Sequence, residues 1–403
     1  MRLERLRNFV ADMWQPLLLY GGLFVALGSL LIFRLGTLLP GYATQEVTMF
    51  NNSDNAKDIL QDPLGAPFTL ITHGLTYLTS HSYLLTRVTA ALFGLATLVA
   101  FCWLLQHWYG RRVAIFGTIL FGCSAWFLHA ARFGGPDVLM FLVIMLVAAG
   151  VWLKKSSNPV ALLLCFGLAA AMMYVPGMIW ILLLATIWQI KTIDRILKQH
   201  VWMVSLGGLL LVAILAPLGW AIYRQPEMWQ SMIGFPILEL DINQVLSNLY
   251  QIPMSFFFRY ADATPDKWLG NIAILDIFSI AMLFLGGYVF IRHIRLQRAK
   301  LVGAAILIGI VLISLGGVIS ISLILPFFYI IIAAGLGFLF TKWFEVFPRN
   351  PIAQFLALAL VSLAVITACS YQLRHYFIAW PRNNQTRSVY FLSEPPPSDT
   401  IKQ

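Results

Sequence analysis

Charge is what this sequence has least of. Only 11% of its 403 residues are Asp, Glu, Lys or Arg, less than half the share of about 25% usual in soluble globular chains. That excludes an ordinary water-soluble domain. Cysteine is scarce as well. Cys102, Cys123, Cys165 and Cys369 all fall inside apolar runs, and no spacing suggests a disulfide framework or a metal site, so they read as small apolar fillers. Strict apolar–polar alternation is missing, which excludes a transmembrane β-barrel. Internal repeats are missing too, as are the inverted or duplicated halves common in transporters. What is present is hydrophobicity: 60% of the residues are apolar or aromatic, with a mean hydropathy of +0.80.

Continuous apolar runs, each about the length of a membrane span, must satisfy their own backbone in lipid, which only helices can do here. The sequence predicts an all-α polytopic membrane protein of about 11 transmembrane helices, at about 17–36, 86–106, 113–129, 137–153, 158–173, 175–190, 201–222, 272–292, 301–318, 324–341 and 353–370. "MMYVPG" at Met172–Gly177 reads either as a hairpin tip or as a Pro kink in one long helix. Sixteen of the 27 basic residues gather in one set of short connectors, including Arg111, Arg112, Lys154, Lys155 and Arg292. The positive-inside bias makes that side cytoplasmic, with the N-terminus inside and the C-terminus extracytoplasmic. The segment Met1–Pro16 is basic and leads into a long run without a convincing cleavage site, so the first span reads as retained. The net charge of +10 is then a topology signal rather than a nucleic-acid footprint.

Residues 1–371 read as one membrane domain, and 372–403 as a polar, partly extended extracytoplasmic tail. Two outer loops are large, about 40–85 and 223–271, and their semi-apolar stretches suit interfacial helices. Between two apolar runs stands "HAARFGGPD". Arg132 and Asp137 lie at the outer ends of the third and fourth spans, and Glu46 lies just beyond the first. Ionisable groups near a membrane usually face a cavity or a partner. The simpler reading is that Pro136 and Asp137 start a helix and that Arg132 snorkels to headgroups.

The order of these pieces, a first outer loop with Gln45-Glu46, a second span opening on Arg87, the "YGRR" turn at Tyr109–Arg112 and "ARFGGPD" at Ala131–Asp137, resembles the membrane-embedded GT-C glycosyltransferases. The nearest branch is the family 39-like group of protein O-mannosyltransferases and lipid A aminoarabinose transferases. The resemblance is good from the start of the chain to about Lys155 and looser beyond, at Trp268–Arg295 and Leu323–Phe340. One departure stands out: the family's first outer loop often carries an Asp-Glu pair, and here only Glu46 is acidic. The resemblance implies a GT-C-like fold, a sugar donor on a polyprenyl phosphate, and a lipid, glycan or protein acceptor at the outer face of the membrane. It implies Glu46 as general base, with Asp137 as second catalytic residue, orienting Arg132, a metal ion or the sugar. Arg132 and Arg87 become candidates for the donor phosphate, joined by Arg259, Tyr260 and His129 as substrate-binding candidates. His73 is a weaker one. A divalent metal is left open as a cofactor, because no ligand spacing marks one. A transporter or flippase is the first rival reading, and calls for ionisable residues at mid-span. A polysaccharide polymerase or ligase is the second, kept in view by Arg224 and Arg259.

Overall fold

The computed structural model describes residues 18–79, 82–156, 158–236, 241–259, 267, 269–316 and 319–393. The basic residues among the first 17 positions, the expected substrate-binding Tyr260, and positions 394–403 lie outside the described residues. The described residues are 81% helical. Among the described residues the only paired extended backbone is one antiparallel bridge, Tyr42 with Leu392.

The first apolar helix, α1 (Leu18–Ile32), leads into a loop that folds as three short helices, α2 (Thr44–Asp54), α3 (Ala56–Gln61) and α4 (Ala66–Thr76). Helix α4 turns its hydroxyls inward, with Thr69, Thr72 and Thr76 buried and Leu70 and Ile71 exposed. That is inverted for a helix in water and right for one against lipid. Helix α5 (Leu84–Tyr109) ends at Gly110, whose φ of +86° suits glycine, so "YGRR" is a tight turn into α6 (Arg111–Cys123). At Ser124 the chain bends by 65° into α7 (Ala125–Arg132). Two side chains satisfy amides freed by the break: the Ser124 hydroxyl accepts from the Phe127 N–H at 3.3 Å, and the Gln372 side-chain oxygen accepts from the Ala125 N–H at 3.2 Å. A 3-10 turn, Pro136–Phe141, then feeds α8 (Leu142–Ser156).

Asn158 caps α9 (Pro159–Met172), with proline at the first helical position. Between Met172 and Gly177 the helix breaks, so the kinked-helix alternative does not hold: Gly177 has φ +74° and donates its N–H to the Met232 carbonyl at 2.9 Å. Helices α10 (Met178–Gln199), α11 (Val201–Arg224), α12 (Met228–Ile233), α13 (Ile242–Phe257), α14 (Ile277–Arg292) and α15 (Gln297–Ser314) follow. The last elements are α16 (Leu325–Val346), α17 (Pro351–Arg374) and α18 (Asn384–Val389). Helices α14 and α16 approach through glycine: a Cβ on Gly286 would lie 1.8 Å from the Ile331 carbonyl oxygen, and one on Gly335 2.2 Å from that of Met282.

Among the described residues, six helical stretches are long and apolar enough to cross a membrane, and the bent α6–α7 pair adds a seventh. Helices α1, α9, α14 and the Met178–Lys191 part of α10 are apolar but shorter. The molecule is an all-α polytopic membrane protein, and helix length alone does not establish the expected total of eleven spans. The core centres on Phe121, whose ring meets those of Phe101, Phe127, Phe141 and Tyr329 at 4.6–5.9 Å between centroids. All four cysteines are free, and Cys102, Cys123 and Cys369 are buried.

The tail departs from its expected extended form. Through residue 393 it packs back on the bundle, with Trp380 and Tyr390 almost wholly buried. Its aromatic rings supply apolar surface that its polar neighbours conceal in the sequence.

Candidate active site

The site is built where the first loop, the "GGPD" turn and the returning tail meet. Glu46 sits in the first turn of α2, wholly buried. Its Oε1 accepts from Arg87 Nε at 2.7 Å and from the Gly134 N–H at 3.0 Å. Its Oε2 accepts from Arg87 Nη2 at 2.8 Å and from the Ala43 N–H at 2.9 Å. Arg87 also donates to the carbonyls of Leu35 and Gly41, and its guanidinium lies 4.3 Å from the centre of the Tyr42 ring. The Arg87–Glu46 pair thus ties α5, the exit of α1, the start of α2 and the "GGPD" turn together. Gly134 permits this approach, because a Cβ there would lie 2.2 Å from the Thr86 hydroxyl and 3.1 Å from Glu46 Oε1.

Arg132 is buried as well and faces the end of α1. Its Nη1 donates to the carbonyls of Leu30 at 2.6 Å and Leu31 at 3.1 Å, and its Nη2 to that of Phe33 at 2.7 Å. These are unpaired carbonyls at and just past a helix C-terminus, where a cation is favoured. The guanidinium stands 4.9 Å from the centre of the Phe377 ring. Its Nε is buried and makes no hydrogen bond among the described residues.

Two recesses adjoin this framework. Glu46, Arg87, Arg132, Tyr376, Trp380 and Tyr390 line the first. Asp137, Lys267, Trp126, Ser320 and Ser322 line the second. His129 and Phe133, whose rings stack at 5.4 Å, belong to both and form the wall between them. Each recess is small, with room for about one water. In the second, Asp137 pairs with Lys267 at 3.2 Å. Among the described residues no three His, Cys, Asp or Glu side chains come together in a way that would hold a metal ion.

No protein-family model matches this sequence, and no curated protein matches it either. Solved structures do. ArnT from Cupriavidus metallidurans in the apo state superposes with a TM-score of 0.53 at 15% identity, over 94% of this chain and 77% of that one. The same protein bound to undecaprenyl phosphate gives 0.56 at 14% identity, over 92% and 77%. The chain shares the fold of ArnT. That shared fold extends along nearly the whole chain, well past Lys155, where the clearest motifs end.

Within this ArnT-like fold, the residues singled out in the sequence fall into separate groups. Glu46, Arg87, Arg132 and His129 share the first recess; Asp137 reaches only the second, so the three ionisable residues flanking the first, third and fourth spans do not meet in one cleft. Arg259 is exposed and donates from Nε to the Asn271 side chain, lining neither recess. His73 is tied to the Ser53 carbonyl at 2.7 Å. Sequence reasoning passed over Lys267, the only basic residue in "ADATPDKW", and Tyr376, Trp380 and Tyr390. The signal for those three was present as large aromatics in a stretch otherwise too polar to be a span.

Proposed function

We propose that this protein is an integral-membrane glycosyltransferase that moves a sugar from a polyprenyl-phosphate carrier to a hydroxyl acceptor at the outer face of the membrane. The ArnT-like fold supports the reaction class, and ArnT itself binds undecaprenyl phosphate. The observation that carries the assignment of residues is the contrast between the two carboxylates. Glu46 has both oxygens occupied by four N–H donors, so taking a proton there means breaking a buried bond. Asp137 makes only the Lys267 contact among the described residues, and shares a largely apolar recess with Lys267, His129, Ser320 and Ser322.

Asp137 is the general base in this reading. It accepts the proton of the acceptor hydroxyl as that oxygen attacks the anomeric carbon from the face opposite the phosphate. The bond from the anomeric carbon to the phosphate oxygen breaks, and its electron pair leaves on the polyprenyl phosphate. Lys267, 3.2 Å from Asp137, and His129, in the wall of the same recess, supply positive charge or a proton to the departing phosphate. Arg87 and Arg132 hold the framework, and both line the first recess. Because each recess holds only about one water, a lipid-linked sugar enters only when a wall moves.

Transfer is measured in proteoliposomes from a panel of undecaprenyl-phosphate-linked sugars. The expected result is transfer by the wild type and a loss of about 100-fold or more in Asp137→Asn, with the melting temperature unchanged. Undiminished transfer by Asp137→Asn overturns the assignment, and no transfer from any donor of the panel overturns the reaction class.

A further inference from the structure

Glu46 and Asp137 lie in different recesses, yet one short run of backbone joins them. Glu46 Oε1 accepts from the Gly134 N–H at 3.0 Å, and Asp137 follows three residues later in the first turn of the Pro136–Phe141 3-10 helix. Between them, the Gly135 backbone is extended, with φ −130° and ψ 166°, and Pro136 restricts its own φ. The segment from Gly134 to Asp137 is thus short and stiff. Its upstream anchor is a hydrogen bond to a carboxylate that three further N–H donors hold in place.

We infer that the Arg87–Glu46 pair is a positioning device for Asp137: through the Gly134 amide it sets where the "GGPD" turn places that carboxylate against Lys267. This rests on the catalytic reading above. Neither Arg87 nor Glu46 lines the recess that holds Asp137. Their influence on it therefore travels along the backbone. The geometry also explains the paired glycines. A Cβ on Gly134 would drive into Thr86, and one on Gly135 would lie 2.7 Å from the Phe133 ring. Any other residue at either position pushes the turn off its anchor. The device works by length as well as by charge. Glu46 must span from α2 to both the Arg87 fork and Gly134, and a carboxylate one methylene shorter can keep the ion pair only by giving up the turn.

The test uses Glu46→Asp, which keeps the charge opposite Arg87, and Glu46→Gln, which keeps the length. The first readout needs no sugar donor. It is the rate at which an amine-reactive reagent labels Lys267 in the full-length protein, followed by mass spectrometry, with Asp137→Asn as reference. Loss of the Asp137 partner is expected to raise labelling about fivefold, the scale of a part-buried ion pair. Glu46→Asp is expected to approach that rate. Lys267 labelling at the wild-type rate in folded Glu46→Asp overturns the inference. The second readout is the pH profile of transfer. A positioning variant keeps the limb belonging to the base while kcat falls and KM for the donor holds, whereas Asp137→Asn loses the limb. Loss of the limb in Glu46→Asp with retention in Asp137→Asn also overturns the inference, by making Glu46 the base. If Glu46→Gln does not fold, the aspartate variant alone decides. Raised labelling in a protein that transfers no sugar upholds the positioning role and sinks only the glycosyltransferase reading.

Discussion

The guanidinium of Arg87 and the carboxylate of Glu46 face each other edge to edge, Nε to Oε1 at 2.7 Å and Nη2 to Oε2 at 2.8 Å, with both side chains buried. Forty-one residues separate them in the chain. A fork-to-fork pair of this kind combines charge with a fixed orientation. It joins the first loop to α5 and leaves no oxygen of Glu46 without a donor.

Removing one partner strands the other as a buried charge. Arg87→Met is expected to lower stability by about 3–5 kcal/mol, while the double change Arg87→Met with Glu46→Leu loses less than the sum of the two single changes. Thermal unfolding in detergent checks both. Additive losses would show that the two residues do not act as a pair.

Arg132 is expected to behave as the clamp on the end of α1. Lysine in its place keeps the charge but cannot serve three carbonyls in fork geometry. Arg132→Lys should destabilise the protein by about 1–3 kcal/mol, seen as a lower melting temperature and as faster amide exchange around residues 30–38. A variant with wild-type melting and weakened binding of undecaprenyl phosphate would instead assign Arg132 to the ligand.

The meeting of α14 and α16 leaves no room for a methyl group. A Cβ at Gly286 would lie 1.8 Å from a backbone oxygen, and at Gly335 2.2 Å, and neither oxygen can rotate aside. Gly286→Ala is expected to destabilise the bundle by about 1–3 kcal/mol or more. Gly287→Ala, one residue along and in open space, is expected to be neutral or mildly stabilising. Equal melting of the two variants would refute this packing.

The tail is tied down where Tyr42 and Leu392 exchange backbone hydrogen bonds of 3.0 and 3.2 Å. A Cβ on Gly41 would lie 2.5 Å from the Leu392 carbonyl oxygen. Gly41→Ala is therefore expected to loosen the segment and to speed tryptic cleavage after the exposed Arg387 by roughly tenfold. Cleavage at the wild-type rate would mean that Tyr390 and Trp380 hold the tail without the bridge.

The one-dimensional pattern of this sequence settles the solvent. Sixty per cent apolar residues in long runs can satisfy their backbones only as helices, and asparagine followed by proline at positions 158–159 and 350–351 marks where two of those helices start. Motif order was legible as well, because "YGRR" and "ARFGGPD" are punctuation that an apolar run cannot absorb. What the chain alone did not decide is which polar group meets which. That Glu46 answers Arg87 and Gly134 rather than Asp137 follows from how α2, α5 and the bend at Ser124 pack, and a pairing across 41 or 88 residues leaves no periodicity behind. Lys267 was hidden for the same reason: a lone lysine in a polar loop carries no mark of the aspartate it faces. The tail looked free because burial of Trp380 and Tyr390 depends on a cavity that other helices create. Local propensity and hydropathy act over a few turns of chain, whereas these contacts exist only once the bundle has closed around them.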